Sequence, residues 1–549
     1  RQGGQTRRRR WRVPLGTTGR TRPHTQSSAP QNQKGVLLLR TLGTVTLGQY
    51  LKATALRFPE REAVVDADRG LRRTYAELNR RVNSLAHGLL ALGIRKGDSV
   101  AVLLHNCVEF VEVYFALAKV GAVVAPQVYR LSAGEIKELV NHCEARAFIF
   151  GQAFNSLVAA IRPELPTVRH YVGVGTELPA DTLAYEELAT GYSTAEPAVE
   201  VHQDDPQYLN YTSGTTGLPK AYLLTHYNNA VAVPFQFDEY RVSPEDVVLT
   251  VFPMYGRVGF AWTMLSVLKG AKNVVLNFRP DRFLETVQRE RVTIVNLVPT
   301  MAQMLLQYPD LDRYDLSSLR GIVFAGSPLP QPVLEGTWTR LCPNVYEYYG
   351  LQETAIITQL PPEAKRRKPA SVGVPPVGVE LRLVDDAGRD VAPGETGEIV
   401  MRGPGATTGY YKQPDKTAEV IRNGWFHTGD LGRLDEEGYL YIAGRKKDMI
   451  VSGGQNVFAP EVEETLLAHP AVADCAVIGL PHELWGEAVT AVVVLKEGHS
   501  ASPEELIAFC KERIAHFKAP KEVIFAGSIP RNPAGKIMKF LLVEEFSRR

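Results

Sequence analysis

The sequence predicts an α/β protein. Its large N-terminal domain consists of layered α/β sheets plus a β-rich subdomain, and a small C-terminal α+β domain follows. Three observations predict this. Between residues 47 and 324, short apolar strand-like runs alternate with helical periodicities. From 378 to 401 the texture changes to short strands with Gly and Asp turns, such as Asp385-Asp386-Ala387-Gly388. After Gly444 a compact unit of strands and helices begins. At 549 residues the chain is too long for one hydrophobic core. The expected divisions are a basic leader at 1–44, a large domain at 45–445 and a small domain at 446–549.

Taken in order, 47–58 has helical spacing and 62–66 reads as a strand. A strong amphipathic helix covers 75–92, and Gly93 stops it. Residues 99–104 form a strand, 108–120 a helix ended by Gly121, and 123–126 and 147–150 short buried strands. Strand-like 207–211 leads into a polar loop, and 221–226 continues without a breaker. Further strands are expected at 246–252, 273–276, 294–298 and 321–324, with helices at 260–268, 282–289 and 300–307 between them. This alternation argues for a mainly parallel sheet. In the last unit, helices at 460–468 and 503–514 accompany strands at 474–479, 487–495 and 522–525.

Composition excludes several classes. Hydrophobic residues make up 44% and charged residues 22%, as in globular chains. The net charge of +2 implies no general attraction to nucleic acid. No apolar run approaches the roughly 20 residues that span a bilayer. Five scattered cysteines argue for a reducing compartment, and against a disulfide frame or a zinc site. A cytosolic location is therefore expected. The Arg-rich leader has no acidic residue, and the first acid is Glu60. Disorder is expected there. A transit peptide and a read-through or cloning remnant both remain open for it, and nothing later supports a nucleic-acid arm.

The polar loop is Tyr211-Thr212-Ser213-Gly214-Thr215-Thr216-Gly217-Leu218-Pro219-Lys220. Glycines let backbone approach a ligand closely. Successive N–H groups in such a turn can face an anion. Lys220 adds a point charge suited to phosphate. The spacing is not that of a Walker A loop. The order of residues resembles the signature loop of the adenylate-forming (AMP-binding) superfamily, which includes acyl-CoA synthetases, aryl-CoA ligases, luciferases and peptide-synthetase adenylation domains. Ala221 stands where the family usually has Gly.

Other stretches extend the resemblance from about residue 47 to the C-terminus. Tyr348-Tyr349-Gly350-Leu351-Gln352-Glu353 is similar to the family's Tyr-Gly-x-Thr-Glu motif. It implies that Tyr349 and Gly350 meet adenine and that Glu353, with Thr216, holds Mg²⁺ against the phosphates. One carboxylate plus phosphate oxygens suits Mg²⁺. Gln352 replaces the usual Thr beside the α-phosphate, and an amide can still donate there. The resemblance implies that Asp430, in Trp425-Phe426-His427-Thr428-Gly429-Asp430, binds the ribose hydroxyls. It implies that Arg445 contacts ribose and phosphate and that Lys447 is the hinge of a mobile small domain. Gly326 resembles the backbone that cradles adenine. Gly453 and Gly454 resemble a glycine-rich strand edge on the pantetheine path. Lys536, in Pro530-Arg531-Asn532-Pro533-Ala534-Gly535-Lys536, resembles the family lysine that bridges substrate carboxylate and α-phosphate. Thr212, Ser213, Gly214, Thr215 and Gly217 are implied to cradle phosphates, with Thr216 and Lys220 in catalytic positions.

The implied reaction is ATP-dependent carboxylate–CoA ligation with ATP, Mg²⁺ and coenzyme A, and a fatty or aryl acid as partner. Loading of a carrier protein, luciferase-like oxygenation and a degenerate AMP-binding protein are the alternatives. Monomer and homodimer both remain open. The acid itself is not specified. Relatives show Pro-x-x-His-x-x-Gly along the acyl pocket, whereas this chain has Pro253-Met254-Tyr255-Gly256-Arg257-Val258-Gly259. Arg257 is expected to lie outward in solvent, because burying an unpaired guanidinium is costly. Facing inward, it would pair with a second substrate carboxylate. Tyr348, where glycine is common, would shorten the tunnel in favour of aryl or medium-chain acids. Tyr227, Val231, Phe235 and Phe237 are expected to supply apolar wall or plain core.

Lys536→Ala is expected to abolish adenylation, read as acid-dependent pyrophosphate release, while sparing thioester formation from supplied acyl-AMP. Equal loss of both half-reactions would contradict that role.

Overall fold

The computed structural model describes residues 44–212, 220–531 and 537–547. The expectations for the basic leader fall on residues outside these, as do those for most of the signature loop and for Lys536.

The core of the large domain comprises two sheets, in keeping with the layered α/β sheets expected of it. The first has eight strands, in the order Ala355–Leu360, Val345–Leu351, Gly321–Phe324, Ile294–Leu297, Val247–Thr250, Lys272–Val275, Glu62–Asp66 and Leu71–Thr74. Only its two edge strands run antiparallel to their neighbours. The second has seven strands, in the order Leu183–Ala184, His170–Val174, Ala147–Gly151, Ser99–Leu103, Val123–Pro126, Pro206–Thr212 and Lys220–Thr225. Its antiparallel member is Lys220–Thr225, at one edge. Helix Val108–Val120 is buried along its whole length and lies within the core that joins the two sheets. Its three charged residues are paired, Glu109 with Arg69, Glu112 with Arg81 and Lys119 with Glu196, as buried charges must be.

Local sequence explains the element ends. Helix Tyr75–Ala91 starts with a capping box between Thr74 and Glu77. Helix Val108–Val120 stops at Gly121, whose φ of 75° is the left-handed conformation that ends helices. A β-rich subdomain follows the eight-stranded sheet, with Glu380–Val384, Gly397–Arg402, Trp425–Leu434 and Leu440–Arg445 paired antiparallel in sequence order. The small C-terminal unit is a five-stranded sheet from Met449–Ser452 to Glu522–Phe525, with helices Ala459–Leu467 and Pro503–Lys511. Its own apolar cores pack between sheet and helices. No helix among the described residues is long and apolar enough to cross a membrane.

The segment after the signature loop differs from the expected single wall helix. It breaks into His226–Ala230 and Ala232–Gln236. Tyr227 and Phe235 are exposed at 39% and 52%, and Phe237 alone of the four aromatic and aliphatic candidates is fully buried. Pro234 falls inside this segment, and a proline interrupts continuous helical hydrogen bonding.

Candidate functional site

The site forms where strands of both sheets end at their carboxyl termini, the usual ligand edge of open α/β sheets. Strand Val247–Thr250 runs into Pro253-Met254-Tyr255-Gly256, and helix Arg257–Lys269 follows. Neighbours from several elements hold this turn. Asn106 accepts from the Met254 N–H at 2.8 Å and donates to the Phe252 carbonyl at 2.9 Å. Tyr208 and Asn210, on the strand before the signature loop, donate to the Tyr255 carbonyl at 2.9 and 2.7 Å. Gly256 is the N-cap of the helix and contributes no side-chain cap. The Tyr255 ring packs edge-on against Tyr129, 5.1 Å between centroids.

Arg257 points inward, contrary to the expectation, and is 5% exposed. Its Nη1 donates to the Gln352 carbonyl at 2.6 Å and its Nη2 to the Gly405 carbonyl at 2.7 Å. Two main-chain carbonyls satisfy what a carboxylate was expected to satisfy, so burial needs no ion pair. Burial pulls the guanidinium below its ordinary value, while Tyr222, Tyr208 and Glu353 oppose that shift. Tyr348 is buried beside it, in the same core as Tyr240 and Trp262, whose rings stack 5.8 Å apart.

Strand Val345–Leu351 carries the second motif to the same place. Gly350 is required by close approach: a Cβ there would stand 1.9 Å from the Ala355 carbonyl oxygen across the hairpin. The Gln352 side-chain oxygen accepts from the Arg257 N–H at 3.2 Å and from the Tyr222 hydroxyl at 3.0 Å. The Arg257 N–H is a donor only, so it fixes the amide with oxygen inward and leaves Nε2 as the donor. Glu353 is 9% exposed, and its Oε1 accepts from the Tyr410 hydroxyl at 3.0 Å. Oε2 is left to other partners. Burial and then the Glu353 charge raise the Tyr410 hydroxyl above its ordinary value.

Tyr410 belongs to a stretch that sequence reading missed. Residues 403–411 run beside the edge strand Lys220–Thr225. The Tyr411 N–H donates to the Ala221 carbonyl at 2.7 Å, and Tyr222 and Tyr410 form an antiparallel bridge. The clustered glycines and threonines of Gly403-Pro404-Gly405-Ala406-Thr407-Thr408-Gly409-Tyr410 were the available signal. Lys220, paired across the hairpin with Thr212, places its Nζ 5.0 Å from the Tyr410 ring centroid. Ser213, Gly214, Thr215, Thr216 and Gly217 lie outside the described residues.

A third group lies on the β-rich subdomain. Asp430 and Arg445 face each other on strands Trp425–Leu434 and Leu440–Arg445. Arg445 Nε stands 3.0 Å from Asp430 Oδ1, and the Tyr349 hydroxyl donates to Oδ2 at 2.7 Å. Burial, then this carboxylate, push the Tyr349 hydroxyl well above its ordinary value. Gly326 follows strand Gly321–Phe324 with φ 87°. Lys447 is exposed in the short turn Lys446–Asp448, where Lys446 bonds Asp386 at 2.7 Å. Gly453 and Gly454, expected along a strand edge, are the two-residue turn between Met449–Ser452 and Gln455–Phe458. Both have positive φ, as such hairpin turns require, and the Gly453 N–H donates to the Trp485 carbonyl at 2.8 Å.

The sequence profile described as "AMP-binding enzyme" matches residues 51–411, and that described as "AMP-binding enzyme C-terminal domain" matches 461–536. The chain belongs to the AMP-binding enzyme family. Members similar to it include a long-chain-fatty-acid–CoA ligase, FadD13, of Mycobacterium tuberculosis, 35% identical over 91% of this chain and 98% of that protein. A feruloyl-CoA synthase of Amycolatopsis sp is 37% identical over 90% of this chain and 97% of that protein. Among solved structures of the family, ATP-bound MatB from Rhodopseudomonas palustris superposes with a TM-score of 0.84 at 31% identity, covering 92% of this chain and 99% of that one.

Arg257→Leu is expected to leave two carbonyls unpaired inside this AMP-binding enzyme, at a cost of about 2–4 kcal/mol. Arg257→Lys replaces a two-armed fork by one point charge and should recover only part of that loss. Thermal denaturation with and without ATP checks both variants. A Lys variant as stable as the parent would contradict the role.

Proposed function

We propose that the protein is an ATP-dependent carboxylate–CoA ligase that forms an acyl-adenylate and then an acyl-CoA thioester. The observation that carries this reading is the convergence of Lys220, Gln352, Glu353, Tyr349 and Asp430 at the joined edges of two sheets and the β-rich subdomain. Tyr349 offers a ring to adenine, and Asp430, beside it, offers a carboxylate to the ribose hydroxyls. Gln352 Nε2 and Lys220 serve the phosphates, together with the signature loop. A substrate carboxylate oxygen attacks the α-phosphorus, and the bond to pyrophosphate breaks. Lys536 neutralises charge in that step. CoA thiol then attacks the acyl carbonyl, and AMP leaves. Lys447 is the hinge that lets the small domain serve both steps.

The residues present suit Mg²⁺. Among the described residues no group of three or more His, Cys, Asp or Glu could hold a metal ion. A single buried carboxylate with one free oxygen fits a cation that takes its other ligands from phosphate and water. Glu353, with Thr216, would hold it, and the bound ion would supply charge neutralisation on the phosphates.

For the acid, the favoured class is aryl or medium-chain. Tyr348 fills space beside Tyr240 and Trp262, which leaves less room for a long tail. Arg257 has two donors committed to carbonyls, which weakens the case for a dicarboxylate. All five cysteines are free, which supports a reducing, cytosolic setting.

Pyrophosphate release and CoA-thioester formation should be measured across short, medium and long fatty acids, benzoates, hydroxycinnamates and dicarboxylates. Aryl or medium-chain acids are expected to give both products fastest. Pyrophosphate without a thioester would point to a carrier-protein acceptor, and silence across the panel would contradict the ligase.

A further inference from the structure

Lys220 and Glu353 carry opposite charges, and both reach Tyr410, from two of its sides. The Tyr410 hydroxyl donates to Glu353 Oε1 at 3.0 Å, and Lys220 Nζ lies 5.0 Å from the centre of the same ring. In a low-dielectric interior an ammonium and a carboxylate that meet attract each other strongly. Among the described residues neither forms an ion pair. Tyr410 itself is 8% exposed and has little freedom to move. Its N–H donates to Thr417 Oγ1 at 2.9 Å. The neighbouring Tyr411 N–H is held by Ala221, and the Thr407 N–H donates to the Glu353 carbonyl at 2.7 Å.

We infer that Tyr410 is a positioning residue. It holds the Glu353 carboxylate with Oε2 free toward the nucleotide, and it seats Lys220 on its ring so that the lysine does not neutralise that carboxylate. Each half of the device has its own chemistry. A hydroxyl bonded to one carboxylate oxygen fixes the plane of the other. An aromatic face attracts an ammonium without withdrawing its charge from nearby phosphates. The ring therefore keeps a cation and an anion both available within one site. The inference rests on the reading that Glu353 holds Mg²⁺, and the test separates the two.

ATP binding to the whole protein is measured by calorimetry, once with Mg²⁺ and once in EDTA, and the ratio of the two affinities is the readout. Tyr410→Phe keeps the ring and removes the hydroxyl. It is expected to lower that ratio about tenfold, the order of effect of one hydrogen bond to a charged group, with affinity in EDTA unchanged. Tyr410→Leu removes the ring as well and is expected to lose at least as much. Glu353→Gln is the control and should lose the Mg²⁺ advantage. If Glu353→Gln keeps it, the metal assignment fails. If Glu353→Gln loses it and Tyr410→Phe keeps it, the role of Tyr410 is overturned. An equal loss for Tyr410→Phe with and without Mg²⁺ would overturn it too, because a merely structural tyrosine would behave that way.

Discussion

Arg257 carries its guanidinium on the first turn of a helix, inside the protein, with no carboxylate bonded to it. Two of those facts oppose its placement. The N-terminal end of a helix repels a cation. Removing an ion from water costs several kcal/mol. Hydrogen bonds to the carbonyls of Gln352 and Gly405 offset this, helped by the Glu353 carboxylate in its field. Those carbonyls belong to two other segments. One interaction therefore fixes the turn at 253–256, the loop after Tyr349 and the stretch that carries Tyr410. Glu353 follows one anchored residue directly, and Tyr410 lies five residues beyond the other. The distance between them depends on where Arg257 holds their backbones.

The same stretch solves a problem of the fold. Strand Lys220–Thr225 is an edge strand, and an uncovered edge invites pairing with other chains. Residues 403–411 cover it through the Tyr222–Tyr410 bridge and the Thr407 hydroxyl on the Leu223 carbonyl. Covering the edge and bringing a tyrosine to Glu353 are one arrangement. The β-rich subdomain, whose strands flank this stretch on both sides in sequence, is tied to the site separately, through the Tyr349 hydroxyl on Asp430.

Much of this was legible in the sequence. The core strands and helices up to Phe324 appear within a few residues of where periodicity put them, because apolar spacing directly records which face is buried. The pairing of Tyr349 with Asp430 was not legible, since it joins residues 81 positions apart. The inward pose of Arg257 was not legible because its partners are backbone carbonyls, and sequence does not reveal which of these lack a donor. Tyr410 was overlooked because its partner Glu353 is 57 residues away and its own neighbours look like an ordinary turn. The broken helix at 226–236 could have been anticipated from Pro234. The strand order within each of the two sheets could not, since alternation of strand and helix does not record it.

The central claim is that one buried guanidinium holds the segments of the site together. Hydrogen exchange followed by mass spectrometry, on the parent and on Arg257→Ala, tests it most directly. Exchange at 350–354 and at 403–411 should quicken together, while strands Gly321–Phe324 and Ser99–Leu103 keep their protection. Quickening confined to 253–259, or none at all, would contradict the account.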